Sequence, residues 1–195
     1  MPKTNDELLA IIRPLAQARY EVDTHWGMLD KTLADMTQDY GLELNPDYQR
    51  GHVWTSAQQQ AYVEGVLRGA ISTAGLTIQF NCPTFESRLL AKDRDLPDGF
   101  QVMDGLQRLT AVREFMAGNV HPFGLTLDDL AGTSFTPKGM AYRLRFAVFC
   151  FQYKIDVLEH YLALNRGGTP HSDDEIARIL AMRDELVRAG APRSR

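Results

Sequence analysis

A chain of 195 residues with 44% hydrophobic side chains has enough apolar material for one domain with a buried core. Its formal net charge of -4 and pI near 5.7 argue against a generally basic nucleic-acid coat, although an acidic chain can still carry a local basic cleft. No apolar run approaches the roughly 20 residues that cross a bilayer, and the polar start lacks a signal-peptide core. Cys82 and Cys150 have no metal spacing and read as buried thiols in a reducing compartment, so a soluble cytoplasmic protein is expected.

Leu8, Leu9, Ile12, Leu15 and Ala16 recur at helical spacing and predict an amphipathic helix over 6–19, with Asn5 as its N-cap. Asp6 and Glu7 are well placed for its dipole, and Pro14 should kink or split it. A second short helix is expected over 27–38. The alternating Leu42-Glu43-Leu44 follows, stopped by Asn45-Pro46. Thr55 or Ser56, each with a glutamine three residues on (Gln58 or Gln59), opens a helix towards Arg68. Residues 75–80 alternate as a strand, and 81–99 read as an exposed polar connection with room for a short helical piece. Residues 100–103 form a strand that runs directly into Asp104-Gly105. Leu109, Val112, Phe115 and Met116 then mark a helix ended by Gly118-Asn119. The aromatic-rich 142–152 is the most strand-like stretch. A helix over 154–165 is broken at Gly167-Gly168-Thr169-Pro170, and a last helix opens on Ser172-Asp173-Asp174-Glu175 and runs to Arg188. Residues 190–195 read as a flexible tail. Strands and helices without a regular βαβ repeat predict a single α+β domain over 1–189, a small mixed β-sheet surrounded by helices.

Three polar clusters fall at element boundaries, at 45–54, 104–108 and 165–170. At the second, a strand ends, Asp-Gly turns, and a helix begins at once. The first N–H groups of such a helix suit a phosphate, Gly105 admits a close ligand, and Arg108 offers a bidentate fork. Arg108 in a first helical turn opposes the dipole, which points to an anion there. From the residues alone, Asp104 is a Mg²⁺ ligand, a base or simply an N-cap, and Arg108 a phosphate fork or a solvated charge. Trp54 could stack a base or staple the following helix, and Tyr48 is equally open. His52 could be a general base or a surface histidine, and Asn165 a ribose or phosphate contact or a C-terminal cap.

Taken together, Pro46-Asp47-Tyr48-Gln49-Arg50 with Trp54, then Asp104-Gly105-Leu106-Gln107-Arg108-Leu109-Thr110, then Asn165-Arg166-Gly167-Gly168-Thr169-Pro170, resemble the DGQQR-type domain of the ParB/sulfiredoxin-like superfamily. That domain forms the N-terminal part of modification-dependent (type IV) restriction proteins and of several phage-defence proteins. The order and spacing of its three motifs agree over about residues 40–180. Two positions depart from the pattern: Leu106 stands for the first Gln, and His171 for the Leu after Thr-Pro. Leu106 fits the apolar stripe of its helix. The resemblance implies nucleotide binding, with Asp104, Gly105, Gln107 and Arg108 lining a phosphate pocket that Gln49, Arg50 and Asn165 approach.

No Walker A pattern is present, so nucleotide chemistry here cannot use a P-loop. HExxH, GxSxG and zinc-deaminase signatures are also missing, and the residues after about 180 could not hold the His-rich nuclease that usually follows this domain. The leading expectation is an ATP-dependent phosphotransferase acting on a hydroxymethylated pyrimidine base in DNA. In it Asp104 orients the acceptor, Arg50 and Arg108 bind the phosphate, and Mg²⁺ on Asp104 bridges its oxygens. The alternatives are an ATP- or GTP-hydrolysing switch subunit of an anti-phage restriction system, and a non-catalytic ParB-like DNA-binding adaptor. Arg143, Arg145, Arg88, Lys92 and Arg94 are candidates for DNA backbone contacts or plain surface charge.

Overall fold

The computed structural model describes residues 2–49, 54–86, 91–165 and 173–194. Helix α1 (Asn5–Ile12) is capped by Thr4 rather than Asn5. Thr4 Oγ accepts from the Glu7 N–H while the Glu7 carboxylate accepts from the Thr4 N–H. The helix stops before Pro14 instead of kinking at it, because a residue preceding proline disfavours the right-handed helical region, and Arg13 turns left-handed at φ 48°. Strand β1 (Tyr20–His25) follows, a strand that the sequence did not announce. Helix α2 (Leu29–Tyr40), led by a 3-10 turn at Trp26–Met28, covers the second expected helix.

Helix α3 (Ser56–Leu67) begins on the expected capping box, with Thr55 and Gln58 as its partners. Ser72 caps the single turn α4 (Thr73–Leu76), so strand β2 (Thr77–Asn81) starts two residues later than the alternation implies. Strand β3 (Gln101–Asp104) passes into α5 (Leu106–Met116). The short α6 (Leu127–Leu130) precedes strand β4 (Arg143–Phe149) and helices α7 (Lys154–Asn165) and α8 (Asp173–Arg188).

The four strands lie in the order β1-β4-β2-β3. β4 pairs antiparallel with β1 and parallel with β2, and β2 pairs antiparallel with β3. The fold is therefore α+β with a mixed sheet flanked by helices, as expected. Glu43 bridges to Gln101, which places the alternating 42–44 beside the outer edge of β3. Leu144, Phe146 and Val148 of β4 join a core with Trp26, Leu29, Val63, Leu109, Val112 and Phe115. Its alternate residues Ala147 and Phe149 join a second core with Val157, Leu158, Tyr161 and Ile179. Helices α2, α3 and α5 thus cover one face and α7 and α8 the other. A strand buried on both faces needs a near-continuous apolar run, which is why β4 was so legible.

Both cysteines are free thiols, Cys82 buried and Cys150 only partly so. Where a flexible tail was expected, the Ser194 N–H and hydroxyl both donate to Asp156 Oδ2 (3.1 and 2.7 Å), and Arg193 pairs with Glu159 at 3.8 Å. No helix among the described residues is long and apolar enough to cross a membrane.

Candidate functional site

Strand β3 ends at Asp104, and Gly105 carries the chain into α5 with φ 95° and ψ 7°, a left-handed conformation. A Cβ at that position would lie 2.8 Å from Ile78 Cδ1, 3.0 Å from Arg108 Nη2 and 3.2 Å from Ile78 Cα. Both the backbone angle and the packing therefore require glycine. Helices α1, α3 and α6 each start on a threonine that caps a first-turn N–H group. Helix α5 starts on Gly105 with no side-chain cap, and its first turn lies ahead of the first intrahelical bond, which runs from the Leu109 N–H to the Gly105 carbonyl.

Arg108 folds back over this turn. Its Nη2 donates to the Thr77 carbonyl at 3.0 Å and to Asp104 Oδ2, while its Nε is buried without a partner. The pair is only about a fifth exposed, 22% for Arg108 and 23% for Asp104. Asp104 is thus the local anion that offsets a cation in the first helical turn. Leu106 is buried in the core, as its place in the apolar stripe implies.

Among the described residues, four hydrogen bonds tie the first motif to β3 and the start of α5. The Gln49 side-chain amide donates to the carbonyls of Val102 (3.2 Å) and Met103. The Trp54 N–H donates to Gln107 Oε1 at 3.0 Å. The buried Tyr48 hydroxyl donates to Gln101 Oε1 at 3.3 Å. The Gln49 amide is therefore spent on the strand that delivers Asp104, where the resemblance implied an approach to the phosphate pocket. The Trp54 ring lies 5.6 Å from that of Tyr62 and packs against the core. Burial pushes the Tyr62 phenol up to about 12, with Arg108 pulling it down. Burial, then Glu43 and Asp47, raise Tyr48 further still, so it remains a neutral donor.

Helices α7 and α8 bring residues that the sequence reading missed. His160 Nε2 lies 3.1 Å from Oε1 of Gln79, the residue of β2 registered opposite Asp104. Tyr161 donates to the buried Glu175 at 2.7 Å. Arg178 donates from Nη1 to the Asp47 carbonyl (3.1 Å) and from Nη2 to the Tyr48 carbonyl (2.8 Å). The available signal was a His-Tyr pair inside the apolar run of 154–165, and Glu175 and Arg178 one helical turn apart.

The family model for the GmrSD restriction endonuclease, N-terminal domain, matches residues 31–156. The chain belongs to this family. No curated protein and no solved structure matches it. The GmrSD N-terminal family span takes in the first two motifs and the whole of β2, β3, α5 and β4, and it ends early in α7.

Among the site residues expected from sequence, Gln49, Trp54, Asp104, Gly105, Gln107 and Arg108 come together at the junction of β3 and α5. Arg50 and His52 lie outside the described residues, as does the side chain of Asn165, whose backbone closes α7. Of the cations considered for DNA, Arg143 pairs with Asp23, Arg145 with Glu21 and Asp23, and Arg94 with Asp98; Arg88 lies outside the described residues and Lys92 is exposed. The exposed start of β4 forms an ion-pair ladder with β1, not a basic stripe.

Burial holds the His160 pKa below its ordinary value of 6.5, opposed by Asp104. The unfolded chain therefore takes up this proton first as pH falls. The stability tied to the neutral ring is intact above about pH 6.5, declines below it, and is fully lost under the folded value. His160→Gln should flatten the loss of stability between about pH 7 and pH 5 in urea unfolding. An unchanged slope would refute the assignment.

Proposed function

We propose that this chain is the nucleotide-binding and nucleotide-hydrolysing unit of a modification-dependent restriction system, with ATP or GTP phosphates seated at the start of α5. The observation that carries the reading is the uncapped first turn on Gly105, with the Arg108 guanidinium beside it. First-turn N–H groups and a planar cation beside one helix start suit phosphate oxygens. Membership in the GmrSD N-terminal family supports the restriction context.

The chemistry follows from what the side chains hold. Arg108 Nη2 and Asp104 form an ion pair. A phosphate arriving at the helix start competes for Arg108 and frees the Asp104 carboxylate. A Mg²⁺ that comes with the nucleotide takes most of its oxygens from phosphate and water and needs one or two protein carboxylates. Asp104 would hold it, and the bound ion would supply charge neutralisation on the phosphate oxygens. Arg108, with Arg50 from the first motif, adds positive charge where charge develops during phosphoryl transfer. The paired arginines of β4 leave this turn, rather than the sheet face, as the seat for an anion.

Incubation with γ-labelled ATP or GTP, with and without 5-hydroxymethylated DNA, tests the proposal. Release of free labelled phosphate is the expected result. Label on the DNA would instead make the chain a DNA-base kinase, and failure to bind any nucleotide would leave a DNA-binding adaptor.

A further inference from the structure

The first motif does not hold itself in place. It is a turn closed by the Gln49 N–H on the Pro46 carbonyl at 2.8 Å, outside any helix or strand. Its Asp47 carboxylate is held by Lys154 at the start of α7. Its two central carbonyls, of Asp47 and Tyr48, are both taken by one guanidinium, that of Arg178 on α8. Arg178 crosses 130 and 131 residues of sequence to make these bonds, and its Nη1 also meets Met182 Sδ at 3.6 Å. Its Nε is buried with no partner. A guanidinium that bonds two successive carbonyls from its two ends fixes their relative position, which a single-point cation cannot do. The residue that follows the clamped turn is Gln49, anchored on β3 next to Asp104, and then Arg50.

We infer that Arg178 is a positioning residue. It fixes the backbone of residues 47 and 48 and so holds Gln49 in place on β3, beside the β3–α5 junction. Helix α8, which lies beyond the span of the family match, is thus part of the site. The Tyr161–Glu175 bond sets α8 against α7 one turn before Arg178, which fixes where the guanidinium arrives. The effect on nucleotide affinity rests on the nucleotide reading, whereas the order of the turn does not.

Amide exchange on the full chain separates these two. Arg178→Gln should speed exchange of the 47–49 amides by about tenfold while α3 and α5 keep their protection. Arg178→Lys, whose single ammonium can reach one carbonyl, should restore part of that protection and also serves if the Gln variant folds poorly. Arg183→Gln, on the same helix but paired with its neighbour Asp184, should match the parent. In parallel, the Gln variant should raise KM for ATP or GTP by roughly tenfold, with a smaller change in kcat. A loosened turn in a chain that binds no nucleotide would defeat the nucleotide reading and leave the clamp standing. Unchanged exchange at 47–49, or loosening spread evenly through α7 and α8, would overturn the clamp itself.

Discussion

Gly105→Ala is expected to lower folding stability by roughly 2–5 kcal/mol, about 1–3 from the left-handed backbone and the rest from overpacking. The added methyl would sit 2.8 Å from Ile78 Cδ1 and 3.2 Å from Ile78 Cα, and Ile78 is wholly buried in β2. It would also come 3.0 Å from Arg108 Nη2 and displace the guanidinium from Asp104 and the Thr77 carbonyl. Backbone strain and steric contact can be separated with Gly118. That residue has a similar φ of 80°, but a methyl added there would meet nothing within 4 Å, so Gly118→Ala should cost only about 1–2 kcal/mol. Urea unfolding of both variants gives the comparison. Equal losses would mean that the tight approach to Ile78 contributes nothing.

The second large effect is expected at the ion pair. Arg108→Ala should weaken ATP or GTP binding by about 100-fold or more, since it removes the guanidinium fork beside the helix start. Arg108→Lys keeps the charge but loses the planar pair of donors, and should recover no more than about tenfold of that loss. Asp104→Asn should behave differently. It releases Arg108 from its internal partner, so nucleotide binding should survive or tighten, while Mg²⁺-dependent hydrolysis should fall by about 100-fold. Titration calorimetry and phosphate release read these two quantities separately. Full phosphate release by Arg108→Ala would sink the assignment of the site, and parallel losses of binding in both variants would show that the pair serves only the fold.

Most of the fold was legible because its signals are local. The stripe of Leu109, Val112 and Phe115 and the capping pair Thr55 and Gln58 each sit within one or two helical turns. Strand β1 was not legible. It is an edge strand whose Tyr20 and Val22 stay exposed and whose Glu21 and Asp23 answer Arg145 and Arg143 from a distant strand. No apolar face marks such a segment until its partner is known. The site divides the same way. Asp104, Gly105, Gln107 and Arg108 are consecutive enough to read as a strand-turn-helix junction. His160, Glu175 and Arg178 reach it only through the packing of α7 and α8, which no spacing in the chain encodes. Spacing also could not tell that Arg108 and Asp104 meet each other, or that Gln49 is bound to β3, because both depend on side-chain conformation rather than order.

The strand order has a consequence for how the chain is made. The last strand synthesised, β4, is the one that joins the other three, pairing with β1 on one side and β2 on the other. Until it leaves the ribosome, β1 has no neighbour and the β2–β3 pair keeps an open inner edge with Ile78 and Phe80 unprotected. The Asp23–Arg145 contact spans 122 residues, so the sheet cannot close until that whole stretch has been made. Overexpressed chains truncated ahead of residue 143 would display that edge permanently and are the ones to collect in inclusion bodies.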